Sequence, residues 1–551
     1  MLKRLFASFS LFGLLVGLLF LCGSLTPSLL PRVPAVQGVL SGFAFATGYG
    51  LGVALLWVWR ALGFTDIAGR IRDVALWAMC LALLALTVFT FGRNTVWQNS
   101  IRERMDMPSV EGSYPWLIAL LAVVLAVVLI LLGRAVLWLA MLASRRLERL
   151  LPQRAAIALG ALVAIFVTVE FANGFLFQGA LRAADEVFAA SDRVINEGVD
   201  APDHPYASGG PNSVIAWEDI GRNGKDFLTR GPSERDIEAF TGDRAMEPIR
   251  VYAGFDSGET FEERAAMALQ DLIALGGFER SVLVIATPTG TGWLDPAAIQ
   301  TVPYVFGGDI ALVSAQYTYV PSWMSLLVEP DRSRRAAKAL FDAVYDHWAD
   351  LPADQRPKLY LFGLSLGALG SEASADLVTI FGEPIDGALW SGPPFASRIW
   401  AQVVAARNEG SPYRLPEFRD GRLVRFMNQD GIAAPVGAEW GAMRLLYLQY
   451  GSDPMTFFSS SLLFSRPDWL RGGDQRARDV SPFFNWYPVV TFLQVAFDIP
   501  MATSTPSGYG HTYNARHYID GWLAVTDPPD WTSADTIRLK ALFDGFEVSP
   551  I

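Results

Sequence analysis

The chain has 551 residues, more than one ordinary domain uses. Its mean hydropathy of +0.28 and its 52% content of hydrophobic residues are too high for a purely soluble protein, and its net charge of −11 argues against a nucleic-acid partner. The two cysteines, Cys22 and Cys80, lie in apolar runs, which excludes a disulfide framework and a cysteine-ligated metal site.

Runs of about twenty apolar residues recur in the first third of the chain and predict an all-α transmembrane domain of about five helices over residues 1–180. Each run is long enough to cross a hydrocarbon core of about 30 Å. The predicted spans are Leu5–Gly23, Val39–Trp59, Val74–Phe91, Trp116–Leu132 and Ile157–Phe177.

Lysine and arginine are more numerous in the loops on one side of these spans, and the positive-inside rule assigns that side to the cytoplasm. Five spans then place the amino terminus in the cytoplasm and everything after Phe177 beyond the outer face of an inner or plasma membrane. Glu170, inside the fifth predicted span, is a candidate functional group that could pair with Arg93. The alternative is that Glu170 lies near the interface or packs between helices.

At Gln178 the composition changes to charged sequence rich in Pro, Gly and Asn, which we interpret as a connecting segment over residues 181–247. From Pro248 short apolar runs alternate with stretches of helical periodicity, which predicts an α/β domain over residues 248–551 with a mostly parallel sheet and helices on both faces. The predicted strands are Ile249–Tyr252, Ser281–Ala286, Ile310–Gln316, Leu359–Phe362, Asp386–Trp390 and Leu445–Tyr450. The predicted helices are Thr260–Gly276, Pro330–Trp348 and Tyr513–Val525. Pro488–Phe497 fits a helix or a strand equally well, which leaves the last strand unassigned.

The strand Leu359–Phe362 leads into Gly363-Leu-Ser365-Leu-Gly367, the strand–turn–helix pattern of a nucleophilic serine. Glycines flank a turn too sharp for side chains, and the turn raises the serine hydroxyl above the sheet. The pattern predicts Ser365 as the nucleophile and the backbone N–H of Leu366 as one donor of an oxyanion hole.

In this architecture an acid and a histidine follow the serine in that order. Asp453 stands directly after a predicted strand, and His511 lies in a glycine-rich loop before the last helix. His511 can take the serine proton while Asp453 orients the imidazole. Four other acids between the serine and the histidine stay open as alternatives: Asp430, Asp474, Asp479 and Asp498. The other histidines are His204, which we expect at the surface, His347, and His517 as the reserve base.

The glycine-containing loop Thr287–Trp293 is predicted to supply the second oxyanion donor, from Thr289 or Gly290. The alternative is an ordinary tight turn. A phosphate-binding loop is disfavoured, because the Gly-Lys-Ser/Thr ending and the dinucleotide glycine spacing are both absent from the sequence.

Several motifs in the same order, VLVIATPTGTGWLDP, GLSLGALGSE, YGSDP, PDWLRG and GYGHTYN, together resemble those of the bacterial α/β-hydrolase family 9. The resemblance covers nearly the whole chain. It implies a multi-span amino-terminal membrane domain, a carboxy-terminal hydrolase domain and a triad of Ser365, Asp453 and His511. It implies no substrate.

The leading hypothesis is a membrane-anchored serine esterase that cleaves a lipidic or envelope-derived ester through an acyl-enzyme, with no metal or other cofactor. Its expected partners are the lipid bilayer and the ester-bearing substrate. The alternatives are an acyltransferase with the same triad and a non-catalytic membrane scaffold or transport protein. The aromatic segments Phe457-Phe458 and Phe483–Tyr487 fit lipid contact and core packing equally well.

Overall fold

The computed structural model describes residues 9–64, 69–147, 198–375 and 382–546, with isolated positions between 148 and 197. The chain divides into two compact units. The first unit consists of Met1–Ala183, Ser459–Leu470 and Val480–Asp498. The second unit consists of Ala184–Phe458, Arg471–Asp479 and Ile499–Ile551.

The first unit contains long apolar helices. Its amino-terminal helices are α1 (Leu11–Ser24), α2 (Pro34–Ala61), α3 (Arg70–Arg102) and α4 (Pro115–Leu147). Helices α2 to α4 are long and apolar enough to span a membrane, and they correspond to the second, third and fourth predicted spans. The first predicted span is described from residue 9 as the 14-residue helix α1. Except for isolated positions, the fifth predicted span, Ile157–Phe177, lies outside the described residues, and so does Glu170.

Glycines on α2 allow its neighbours to approach closely. A Cβ at Gly42 would lie 2.7 Å from the carbonyl oxygen of Ala122 on α4, and a Cβ at Gly48 would lie 2.7 Å from Cγ of Phe20 on α1. Side chains at these positions would therefore force the helices apart, as at the small-residue interfaces of membrane helices.

The second unit is built on an eight-stranded sheet with the order β1-β3-β2-β4-β5-β8-β6-β7. Neighbouring strands are parallel except β6 and β7, which form an antiparallel hairpin at one edge. The strands are β1 (Ile249–Ala253), β2 (Val282–Thr287), β3 (Ile310–Ala315), β4 (Lys358–Leu364), β5 (Gly387–Ser391), β6 (Val424–Asn428), β7 (Gly431–Ala433) and β8 (Arg444–Leu448).

The helices of the carboxy-terminal region follow in chain order. They are α5 (Arg222–Thr229), α6 (Glu234–Thr241), α7 (Phe261–Ala274), α8 (Pro296–Ile299), α9 (Val302–Val305), α10 (Ser322–Val328), α11 (Pro330–Asp350), α12 (Leu366–Ser374), α13 (Arg398–Ala405), α14 (Pro454–Phe457), α15 (Val490–Asp498), α16 (Ala515–Thr526) and α17 (Ser533–Leu542). Helix α11 packs between α7 and α12, and α16 packs against β5 and β8.

The predicted α/β fold is confirmed, and each of the six predicted strands is found to within two residues at either end. The hairpin β6–β7 was not predicted. The three-residue strand β7 is too short to show alternation, and in β6 the polar residues Arg425 and Asn428 interrupt the apolar run.

The segment predicted as a connection belongs partly to the second unit. Arg250 of β1 donates its backbone N–H to Tyr206 at 3.0 Å, and Ser208 donates to the carbonyl of Arg250 at 3.0 Å. These two bonds form a short parallel bridge between Ala207 and Arg250 at the free edge of β1. The stretch before β1 therefore contacts the edge of the sheet through its backbone.

Two stretches of the region predicted as catalytic domain, Ser459–Leu470 and Val480–Asp498, belong to the first unit. The ambiguous stretch Pro488–Phe497 forms helix α15, and no strand follows β8 in the described part of the chain. A buried ion pair holds α15, since Arg32 Nε donates to Asp498 Oδ1 at 3.0 Å and neither side chain is exposed. The backbone N–H of Leu29 donates to the other carboxylate oxygen at 3.1 Å.

Candidate active site

Ser365 occupies the sharp turn between β4 and α12. Its backbone has φ 57° and ψ −123°, a strained conformation for a residue with a side chain. A Cβ at Gly363 would collide with the backbone of Gly367, and a Cβ at Gly367 would collide with the carbonyl of Thr287. Only glycine fits at these two positions, so the spacing recognised in the sequence is required by the geometry of the turn.

Asp453 lies just beyond β8, and its buried carboxylate contacts His511. Oδ1 accepts the backbone N–H of Met455 at 2.9 Å, which caps α14. Oδ2 lies 2.7 Å from His511 Nδ1 and accepts the hydroxyl of Tyr513 at 2.9 Å. A carboxylate at Nδ1 favours the tautomer that carries its proton there, so Nε2 is left as the proton acceptor.

The imidazole of His511 packs against the backbone of Gly392, the residue after β5. An added Cβ at Gly392 would lie 2.5 Å from His511 Cε1 and 2.9 Å from Nδ1. The preceding residue, Ser391, accepts the backbone N–H of Ser365 at 3.0 Å. The end of β5 therefore contacts both the nucleophile turn and the histidine.

Ser365 and His511 line one pocket but are not hydrogen-bonded in this structure. Ser365 Oγ and His511 Nε2 are both buried, and neither has a hydrogen-bond partner among the described residues. The structure therefore brings the two groups into one cavity without direct contact. In many hydrolases this contact tightens only in the complex with substrate.

Two backbone amides of the predicted oxyanion loop are already hydrogen-bonded within the protein. Thr289 donates its backbone N–H to the carbonyl of Trp293 at 2.9 Å, and Gly290 donates to Ser322 Oγ at 2.9 Å. Neither amide is free to bind a substrate oxygen in this conformation, contrary to what the loop sequence predicted. The side chain of Thr289 carries a hydroxyl donor, and this residue lines the pocket. The amide of Leu366, in the first turn of α12, needs no acceptor within the helix.

The pocket around these groups has a volume of about 480 Å³ and lies entirely within the second unit. Much of its wall is apolar. The apolar residues of the wall include Phe188, Trp293, Trp323, Met455 and Ile499. Three polar side chains also line it: Asp192, Arg222 and Asn223.

The alternative acids are engaged elsewhere. Asp430 pairs with Arg414 at 2.9 Å and with Arg478 at 3.2 Å. Asp479 accepts the hydroxyl of Ser452 at 2.7 Å, and Asp498 pairs with Arg32 in the first unit. The side chain of Asp474 lies outside the described part of the structure. Among the described carboxylates, Asp453 is the one that hydrogen-bonds His511.

The other histidines lie outside the pocket lining. His517 Nδ1 lies 2.6 Å from the Tyr450 hydroxyl, and burial together with nearby positive charges lowers the pKa of His517 to about 4. His347 packs its ring on Phe278, and His204 Nδ1 accepts the backbone N–H of Tyr206 at 3.3 Å.

One acidic residue of the pocket, Asp295, was not predicted from the sequence. Asp295 is 2% exposed and lines the same pocket as Ser365 and His511. It accepts the hydroxyl of Tyr518 at 2.9 Å and the backbone N–H of Ala297 at 3.0 Å. Burial raises its pKa to about 7. In the sequence Asp295 stands before a proline, where it reads as a helix cap, and only its position close after the oxyanion loop could have singled it out.

Comparison with known families agrees with this geometry. Residues 249–539 match the model of an alpha/beta-hydrolase family, and residues 25–232 match the model of that family's N-terminus. The chain belongs to α/β-hydrolase family 9. In this family 9 chain the amino-terminal match runs beyond the apolar helices and ends at residue 232, just before α6 begins at Glu234. Searches of curated proteins and of solved structures found no match.

Proposed function

We propose that this family 9 protein is a membrane-associated serine hydrolase that cleaves a carboxylic ester through an acyl-enzyme on Ser365. The observation that carries the proposal is the 2.7 Å contact between Asp453 and His511, in a pocket shared with a strained serine. A structural role for Asp453 alone would require only the cap on α14 and would not need the histidine.

In the proposed acylation step, Ser365 Oγ attacks the ester carbonyl carbon while its proton moves to His511 Nε2. The carboxylate of Asp453 stabilises the imidazolium that forms. The negative oxygen of the tetrahedral intermediate accepts hydrogen bonds from the Leu366 amide and the Thr289 hydroxyl. The carbon–oxygen bond to the alcohol then breaks, and His511 returns the proton to the leaving oxygen. Water repeats the sequence on the acyl-enzyme and releases the acid.

The lining of the pocket supports an ester with an apolar acyl chain. Trp293, Trp323 and Met455 offer apolar surface beside the nucleophile, which suits a hydrocarbon chain. The apolar helices of the first unit support a substrate drawn from a membrane or its surroundings. We therefore propose a lipidic or envelope-derived ester.

The proposed orientation follows from the basic residues of the loops and places the catalytic unit outside the cytoplasm. A reporter fused after Ile551 that is active only in oxidising, extracytoplasmic compartments should be active. Activity of a cytoplasm-specific reporter at the same position would reverse the orientation.

The hydrolase proposal is tested by labelling the full-length protein in detergent with a fluorophosphonate probe, which reacts with activated serines. We expect one labelled site, which Ser365→Ala abolishes. The matched control is Ser371→Ala on the same helix, where the lost hydroxyl contacts Trp390 Nε1 at 2.9 Å. Labelling should persist in that variant. Undiminished labelling of Ser365→Ala would refute the proposal.

A further inference from the structure

Asp295 is a buried carboxyl group for which the triad has no use. It is supplied by the loop after β2, it is 2% exposed, and it lines the pocket that contains Ser365 and His511. No lysine or arginine among the described residues lies within 4 Å of it. A carboxylate buried without a cation is unfavourable, so the position calls for an explanation.

The hydrogen bonds of Asp295 do not require a charge. Oδ1 accepts the N–H of Ala297 at the start of α8, and Oδ2 accepts the Tyr518 hydroxyl. Asparagine could cap the helix equally well and could bond to a tyrosine hydroxyl. What asparagine cannot provide at this site is a group that ionises to a negative charge.

Asp295 and His511 line the same pocket, where the charge of either group acts on the other through a medium of low dielectric constant. Burial is the main influence on Asp295 and raises its pKa, while a positive charge on His511 lowers it. This coupling is reciprocal, so an ionised Asp295 stabilises the protonated form of His511 by the same free energy. Protonated His511 is the species that forms when Ser365 loses its proton.

Asp295 also belongs to a chain of polar groups beneath the nucleophile. The Tyr518 hydroxyl that donates to Asp295 lies 2.9 Å from Ser391 Oγ, and the carbonyl of Ser391 accepts the N–H of Ser365. These contacts fix the position of the carboxylate relative to the nucleophile turn. The other titratable or charged side chains that face Asp295 or His511, or line the pocket, include Asp192, Arg222, Tyr450, Asp453, Tyr513 and Tyr518.

We propose that Asp295 is a second carboxylate of the active site, a positioning residue that acts through His511 by stabilising its imidazolium in the acylation and deacylation steps. The inference rests on the proposed hydrolase function. Asp453 contacts Nδ1 and selects the tautomer, whereas Asp295 contributes its charge without a direct bond to the ring.

The test is the rate of fluorophosphonate labelling of the full-length protein between pH 5 and 9, for the wild type and Asp295→Asn. Because one coupling free energy governs both effects, the variant should have a lower plateau rate, and the acidic side of its pH–rate profile (the acid limb) should move to lower pH by about one unit for each tenfold loss of that rate. A purely structural role would lower the plateau and leave the limb in place. Asp295→Ser, which is also neutral and also caps a helix, provides the same readout should the asparagine variant misfold.

The control is Asp386→Asn. Asp386 is another carboxyl group whose pKa burial raises, and it accepts the N–H of Leu359 at 2.8 Å at the opposite end of β5. Its acid limb should coincide with that of the wild type. An unchanged acid limb in a labelled, folded Asp295→Asn protein would overturn this inference alone. Absence of labelling in the wild type would instead overturn the hydrolase function and this inference with it.

Discussion

His511 Nδ1 lies 2.7 Å from Asp453 Oδ2, although 58 positions separate the two residues in the chain. The intervening sequence contributes Ser459–Leu470 and Val480–Asp498 to the first unit, then returns to the second unit at Ile499. About half of the segment that joins the acid to the histidine therefore belongs to the unit of the apolar helices. The bond between them is the feature on which the proposed chemistry depends.

Replacing Asp453 by asparagine should reduce labelling of Ser365 by about a thousandfold or more, because an amide no longer selects the tautomer with a free Nε2. The rate of fluorophosphonate labelling measures the effect. Asp430→Asn is the control, since Asp430 pairs with Arg414 and Arg478 away from the pocket. Equal loss in both variants would contradict the role given to Asp453.

Gly392→Ala should abolish most of the activity while the protein stays folded. The new Cβ would lie 2.5 Å from His511 Cε1 and displace the imidazole, and a displacement of about 1 Å at such a group costs on the order of a hundredfold in rate. Gly410→Ala is the control, because it too has a positive φ, 84°, but no atom within 4 Å of the added Cβ. Both variants carry similar backbone strain, so full activity in Gly392→Ala would show that the imidazole is not held as described.

Arg32→Met should destabilise the first unit by about 3–5 kcal/mol, because it leaves the Asp498 carboxylate buried without its partner. The double variant Arg32→Met/Asp498→Leu should recover most of that loss. The unfolding midpoint of the full chain in detergent reports both effects.

Arg72→Met provides the comparison for this pair. The ion pair of Arg72 with Asp73 has both side chains more than half exposed, and exposed pairs contribute at most about 1 kcal/mol. An Arg32→Met midpoint as close to the wild type as that of Arg72→Met would show that the buried pair does not hold α15.

Glu372 should make stability fall as the pH rises. It is 2% exposed, and burial raises its pKa to about 7 even though it accepts hydrogen bonds from Ile399, Trp400 and Tyr447. Because the folded state keeps this proton when the unfolded chain has lost it, the contribution of Glu372 to stability is greatest below about pH 4.5 and declines until about pH 7.

Glu372→Gln should therefore flatten the dependence of the unfolding midpoint on pH between 4.5 and 7. The expected difference from the wild type across that window is on the order of 3 kcal/mol. Asp342→Asn, at an exposed pair with Lys338, should leave the slope as it is. A Glu372→Gln profile parallel to that of the wild type would contradict the buried, proton-binding state of this side chain.

The sequence was sufficient for features that depend on local pattern. The turn around Ser365 needs glycine on both sides, and the strands near it are continuous apolar runs, so both were recognisable without a structure. Asp453 was found because a carboxylate directly after a strand emerges at the edge where the nucleophile lies.

Features that depend on contacts between distant segments were not predictable. Helix α15 packs with the apolar helices through Arg32 and Asp498, residues that are 466 positions apart. The amides of Thr289 and Gly290 donate to the carbonyl of Trp293 and to the hydroxyl of Ser322, which is the first residue of α10. The role proposed for Asp295 depends on its burial, which the dipeptide Asp-Pro does not reveal.

The most direct test of the central claim is whether an acyl group is transferred to Ser365. The full-length protein in detergent would be mixed with a p-nitrophenyl ester, and the reaction quenched within the first turnover. The mass of the proteolytic peptide that contains Ser365 would then be measured by mass spectrometry. We expect a burst of about one p-nitrophenolate per active chain and a matching acyl adduct on Ser365, both lost in Ser365→Ala. Ester cleavage that continues undiminished in Ser365→Ala, with no adduct on the wild-type peptide, would contradict the account.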